Sequence, residues 1–112
     1  MKTLVFAAAV LVTAAAPAFA GAANFDLVNG TSGALSGLSI RRSGTSDWKP
    51  LGTAPSPGAR GAMTFSDPDC AFDIRATVGG APVTWAGVNL CGAKSVTLKR
   101  DGTAGAWVDY DQ

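Results

Sequence analysis

The chain has 112 residues and a formal charge of +1, too few for two independent domains and too balanced to offer the basic face that nucleic acids or anionic lipids attract. It contains no histidine, which excludes every Ser-His-Asp and Cys-His arrangement. Beyond residue 20 it carries eight Asp, no Glu, three Lys and five Arg, so acid–base chemistry would have to run on Asp with Asp or with Lys.

The opening stretch "MKTLVFAAAVLVTAAAPAFA" places one positive charge, Lys2, ahead of an apolar run from Leu4 to Ala16. Pro17 and then Ala18-Phe19-Ala20 follow, which is the three-part pattern of a secretory signal peptide with an A-x-A cleavage site. The run is shorter than the about 20 residues that span a bilayer, although a short N-terminal membrane anchor is the competing reading. No twin arginine precedes the run and no cysteine follows it, so general secretion without a lipid anchor is expected. Residues 1–20 are thus read as a leader and 21–112 as one exported domain, periplasmic or extracellular, with no membrane span.

After the leader, glycine, proline and serine interrupt the sequence about every ten residues, an all-β spacing. "NFDLVN" (Asn24 to Asn29) alternates, with Phe25 and Leu27 on one face, and Asn29-Gly30 signals a hairpin turn. "ALSGLSIRR" (Ala34 to Arg42) is a second strand with Leu38 and Ile40 inward and a bulge at Gly37. "SGTSD" is a loop, followed by Trp48 and Leu51. "GTAPSPGARG" (Gly52 to Gly61) is a Pro/Gly loop, since proline removes a ladder donor. "AMTFS" is a short strand with Met63 and Phe65 on one face, and Asp67-Pro68-Asp69 turns the chain.

The stretch "CAFDIRATVGGAPVTWAGVNLC" runs from Cys70 to Cys91, the only two cysteines. With a turn centred near Gly80-Ala81, Val78 faces Val83, Ile74 faces Gly87 and Phe72 faces Asn89. Cys70 then falls opposite Cys91. One face reads Cys70, Phe72, Ile74, Ala76 and Val78 against Val83, Trp85, Gly87, Asn89 and Cys91; Val88 and Leu90 lie on the other. Opposed residues on antiparallel strands lie within disulfide range, and an exported chain meets an oxidising compartment. A disulfide clamping the open end of the hairpin is therefore expected; a reactive thiol pair or a metal site is the alternative, though the absence of histidine leaves few further ligands. "AKSVTLKR" (Ala93 to Arg100) alternates with Val96 and Leu98 inward, Asp101-Gly102 makes another hairpin turn, and "AWVDYD" closes the chain. The expected fold is a small antiparallel β-sandwich or partly open barrel of about seven strands with one disulfide.

The blocks "FDLVNGT" at Phe25 to Thr31, "WKPL" at Trp48 to Leu51, "CAFDIR" at Cys70 to Arg75 and "WAGVNLC" at Trp85 to Cys91 resemble a group of small exported bacterial β-sandwich proteins of unknown function. That group pairs a Cys-x-(Tyr/Phe)-Asp-(Leu/Ile)-Arg strand with a return strand ending (Asn/Asp)-Leu-Cys. The resemblance spans most of the chain after the leader. The hairpin tip departs from it, with Gly79-Gly80-Ala81-Pro82 in place of an Asp-Gly turn, and the "AWVDYDQ" tail extends beyond it. It implies export and a β fold and brings no active site with it.

Candidate chemistry is sparse. Ser46 and Lys49 spell S-x-x-K, a motif that needs a larger domain and partner motifs. Asp67 with Asp69, and Asp109 with Asp111, are two acidic pairs that would supply part of a calcium shell if they met, but Asp around proline is also ordinary turn chemistry. Asp73 and Arg75 share one face of an otherwise apolar strand, placed for an ion pair or for reaching loop backbone, and are the polar anchor for a ligand if that face is open. Trp85 reads as core; Trp48, beside a Ser/Gly/Thr loop, is the tryptophan expected to be exposed. Asn29-Gly30-Thr31 matches a glycosylation acceptor, with a turn as the simpler role. The expected function is a non-catalytic binding or structural module without cofactor, its candidate partner a periplasmic or extracellular protein and its ligand-binding residues Asp73, Arg75 and Trp48. A calcium- or small-ligand-binding module using the Asp pairs is the alternative, and a small hydrolase working through Asp and Lys the third.

Overall fold

In the computed structural model, which describes residues 21–102 and 105–111, the short alternating runs become eight strands: β1 (Phe25–Asn29), β2 (Leu35–Arg42), β3 (Lys49–Pro50), β4 (Arg60–Met63), β5 (Ala71–Val78), β6 (Ala81–Asn89), β7 (Ser95–Asp101) and β8 (Gly105–Asp111). The leader expected over residues 1–20 lies outside the described residues. Two four-stranded sheets stack as a sandwich, ordered β4-β1-β7-β8 and β3-β2-β5-β6, and no closed barrel forms. The strand beyond the expected seven is β3, only two residues long. All pairings are antiparallel except β1 with β7, which run parallel. No helix among the described residues is long and apolar enough to cross a membrane.

Alternation sets the inward faces. Phe25 and Leu27 of β1, Leu38 and Ile40 of β2, Phe72 and Ile74 of β5, and Val96 and Leu98 of β7 all lie in the core between the sheets. Trp85 is fully buried, as expected, and its indole N–H donates across the sandwich to the Lys99 carbonyl at 2.8 Å. That bond removes the cost of burying the one polar atom of the ring. The β2–β5 ladder slips between Ser36 and Ser39, so Gly37 does mark a bulge.

Asn29-Gly30 does not close a hairpin. β1 and β2 belong to different sheets, and Asn29 instead fastens the crossing between them. Its side chain is fully buried. The amide donates to the carbonyls of Gly33 at 3.0 Å and Pro55 at 3.1 Å, and its oxygen accepts from the Thr31 N–H at 3.0 Å and the Thr31 hydroxyl at 2.6 Å. Both amide protons and both oxygen lone pairs are thus used, the condition under which a polar side chain is tolerated in a core. The same geometry ties the 52–59 loop to the sheet, and it keeps the Asn29 amide nitrogen of the glycosylation-like triplet out of solvent. Met63 is buried as expected, whereas Phe65 lies beyond β4. There its ring meets Phe25 and Phe72 edge-on at 6.2 and 5.1 Å.

The β5–β6 hairpin forms, with a different register. Val78 pairs with Ala81, and Gly79 and Gly80 form the two-residue turn, both at positive φ, as a right-twisted hairpin requires. Ile74 then pairs with Trp85, but Phe72 pairs with Val88. One extra residue has entered β6 at Ala86–Gly87. This bulge reverses which residues point inward. Val88 and Leu90 are buried, and Gly87 and Asn89 are exposed, the reverse of the even alternation expected along β6. Cys70 and Cys91 are disulfide-bonded, with Cα atoms 5.0 Å apart. The bond closes a loop with a sequence separation of 21 residues, a constraint worth about 3 kcal/mol in the chain-entropy treatment. Replacing both cysteines with serine should therefore lower unfolding free energy by about 3 kcal/mol, read as an earlier midpoint in urea melts together with a steeper slope, because the unfolded chain opens further without the crosslink; an unchanged midpoint would contradict this.

Candidate functional site

The outward face of the β3-β2-β5-β6 sheet carries the sequence candidates. Asp73, Arg75 and Thr77 alternate outward from β5, while Arg41 and Ser39 do so from the neighbouring β2. The register sets Arg41 opposite Asp73 and Ser39 opposite Arg75. Trp48 immediately precedes β3, which pairs with β2 at Ser39 and Ile40, so its ring lies against this face.

Asp73 and Arg75 do not pair with each other. Asp73 is buried beneath groups that neutralise it. One oxygen accepts from Arg41 Nε at 2.8 Å; the other accepts from the Ser43 hydroxyl at 2.8 Å and the Gly87 N–H at 3.0 Å. The last contact explains the bulge. An extra residue leaves a backbone N–H with no ladder partner, and the Asp73 carboxylate takes it. Burial by itself pushes the acidity of this group toward the neutral form; the Gly87 N–H, the Ser43 hydroxyl and the Arg41 guanidinium outweigh it and hold the carboxyl below its ordinary range.

Arg41 also lies over the Trp48 ring, its guanidinium carbon 4.5 Å from the ring centre, and Arg75 lies over it at 3.9 Å. Both distances are those of cation–π contacts. Trp48 is half-buried, and the most exposed tryptophan is instead Trp107, on β8. The structure therefore brings Asp73, Arg75 and Trp48 to one place, joined through Arg41 and Ser43. Those two were not picked out from the sequence. The signal for Arg41 was its outward parity in "SIRR", but its partner depends on a register that the Gly37 bulge shifts.

Beside this cluster, a cleft of about 450 Å³ opens between the sheets, lined by Ile40, Arg41, Lys49, Pro50, Phe65 and Phe72 among others. In this cleft the two residues of β3, Lys49 and Pro50, form part of one wall, and Phe65 to Asp67, beyond β4, face them. Its size falls within the range of small-molecule sites.

The acidic pairs lie elsewhere. Asp67 and Asp69 are 3.1 and 3.2 Å from nitrogens of Arg42, and the Asp69 N–H donates to the Asp67 carboxylate at 2.9 Å, the turn chemistry expected around Pro68. Burial pushes the Asp67 carboxyl toward its neutral form; the Asp69 N–H and Arg42 together outweigh this and leave it below its ordinary value. Asp109 and Asp111 stand exposed on β8, opposite Thr97 and Ser95. Among the described residues no three His, Cys, Asp or Glu side chains form a group that could hold a metal ion, so the two pairs do not meet. Lys49 of the S-x-x-K motif reaches only the exposed Asp47, at 3.6 Å.

Comparison with protein-family models, with curated proteins and with solved structures finds no match.

The Asp73 contacts carry a measurable stability. Asp73→Ala leaves the Arg41 charge and the Gly87 N–H without their partner and should cost about 2–4 kcal/mol; Asp73→Asn, which keeps an acceptor, should cost less. Because the folded carboxyl is more acidic than the unfolded one, the unfolded chain binds more protons in this window and stability rises with pH through it. The Asp73 contribution is then complete above the unfolded value of about 3.9 and lost as pH falls toward the folded one. Urea melts between about pH 3 and 7 should show the gap between wild type and Asp73→Asn narrowing in acid; a constant gap would contradict the assignment.

Proposed function

We propose that the protein is an exported, non-catalytic binding module whose ligand sits on the outward face of the β3-β2-β5-β6 sheet at Trp48. The observation that carries this reading is the convergence of Arg41 and Arg75 on the Trp48 ring, next to a cleft of ligand size that Arg41 also lines. An indole in contact with two guanidinium groups beside a sheet edge offers both apolar area and hydrogen-bond donors, and binding residues favour positions on a rigid scaffold. The disulfide suits an oxidising compartment, and the leader-like first twenty residues agree with it.

The site chemistry speaks for binding over turnover. Asp67 and Asp73 are both held ionised, whereas a general acid at neutral pH needs a carboxyl shifted the other way. Lys49 lies on the exposed edge strand β3 and is paired with an exposed Asp47.

Tryptophan emission tests the reading. Trp85 is in the core and Trp107 is on β8, so a ligand on the proposed face should change the emission of the wild-type protein and leave Trp48→Phe unaffected. The protein is titrated with low-molecular-weight fractions of the extracytoplasmic medium of its own cells. A fraction that changes wild-type emission and not that of Trp48→Phe is the expected result; equal responses from both proteins, or none from any fraction, would overturn it.

A further inference from the structure

Several cationic side chains of this molecule are matched by carboxylates. Arg41 is held by Asp73, Arg42 by Asp67 and Asp69, and Arg60 by Asp26. Arg75 differs. Among the described residues no carboxylate lies within ion-pair distance of it, although it is partly buried and adjacent in the ladder to the fully engaged Asp73.

Its surroundings prepare it for an external acceptor. The guanidinium carbon lies 3.9 Å from the Trp48 ring centre. Stacking of this kind restrains the guanidinium while leaving its N–H donors at the edge, where an acceptor reaches them. The register sets Ser39 of β2 on one side of Arg75 and Thr84 of β6 on the other. The Ser39 hydroxyl is already spent on the Gly37 carbonyl at 3.1 Å. The Thr84 side chain is exposed and stands as a second donor beside the fork. In the next row Arg41 and Asp73 cancel each other, so the cluster presents one unmatched positive charge.

We infer that Arg75, with Thr84 beside it, anchors a carboxylate group of the ligand bound at Trp48. The planar fork of an arginine matches a carboxylate through two parallel N–H···O bonds. One unmatched charge suits a monoanion, and a phosphate dianion would bring a second charge with no counterpart. The inference rests on the reading of this face as a binding site and names the chemistry that the site selects.

The probe is acetate. The ¹⁵N-labelled protein is titrated with sodium acetate and, separately, with sodium chloride at constant ionic strength and neutral pH, following the Arg75 Nε–H and Trp48 Nε1–H resonances. Acetate should produce saturable shifts at both and chloride should not. Arg75→Lys, which keeps the charge and loses the fork, should weaken acetate binding about ten-fold, and Thr84→Val by about two- to three-fold. Arg75→Gln should abolish it at an unchanged melting temperature. Equal curves for acetate and chloride, or for wild type and Arg75→Gln, would overturn the inference, as would methyl phosphate binding more tightly than acetate. The two levels separate cleanly. An extract fraction that changes Trp48 emission equally in wild type and Arg75→Gln removes the anchor and keeps the binding face; acetate bound at Arg75 with no fraction active at Trp48 keeps the anion site and removes the face as the seat of a larger ligand.

Discussion

The Asp73 carboxylate stands on the outward side of β5, yet it is buried, and three segments are arranged around it. Arg41 comes from β2, Ser43 from the loop after it, and the Gly87 N–H from the bulge in β6. A carboxylate in that position is tolerated only because each oxygen is met by a donor. The consequence is geometric. β2, β5 and β6 are fixed relative to one another at one level of the sheet, and Arg41 is fixed in the pose that lays it over Trp48. The bulge, the ion pair and the aromatic stack are one connected unit. The Arg41 contact with Trp48 and the inward turn of Val88 and Leu90 both adjoin it.

Much of the fold could be read from alternation alone, because burial of one face is a local property of each strand. Phe25 with Leu27, Leu38 with Ile40, and Val96 with Leu98 go inward as their parity requires. What alternation does not carry is the count of residues between one strand and the next. In β6 the parity changes midway, and the cause is an acceptor on another strand, Asp73. Asn29-Gly30 misleads for a related reason: the dipeptide favours a tight turn, but a fully bonded Asn29 side chain, meeting Gly33, Pro55 and Thr31, holds the chain in a crossing between sheets. The cysteine pair survived the register error because a disulfide needs only two Cα atoms within about 4.4–6.8 Å. At the site, Asp73, Arg75 and Trp48 could be singled out as polar or amphipathic residues in apolar company. Arg41 and Ser43 could not, since their role comes from being opposite Asp73 and from nothing in their own neighbourhood.

The two outer faces of the sandwich differ in their chemistry. On the β4-β1-β7-β8 sheet, Arg60 and Asp26 make an exposed pair at 3.0 Å, a solvated contact of small energetic weight, and Trp107 stands exposed beside Lys99, its ladder partner. The Tyr110 hydroxyl accepts the Asn89 N–H at 2.9 Å and so occupies a donor on the free edge of β6. Pro82 on the same edge and Pro50 on β3 present no N–H at all, and unpaired edges are thereby blunted against strand addition from another chain.

The parallel pairing of β1 with β7 places the earliest described strand beside one of the last. β1 has no neighbour until Arg60–Met63 arrives, and its other flank stays open until Ser95–Leu98 does. Ala22, just ahead of β1, bridges to Cys91. During synthesis the first sheet is thus a row with its middle member waiting, and nothing local rewards that segment for settling early. Both flanks of β1 are covered only once β7, near the end of the described residues, is in place.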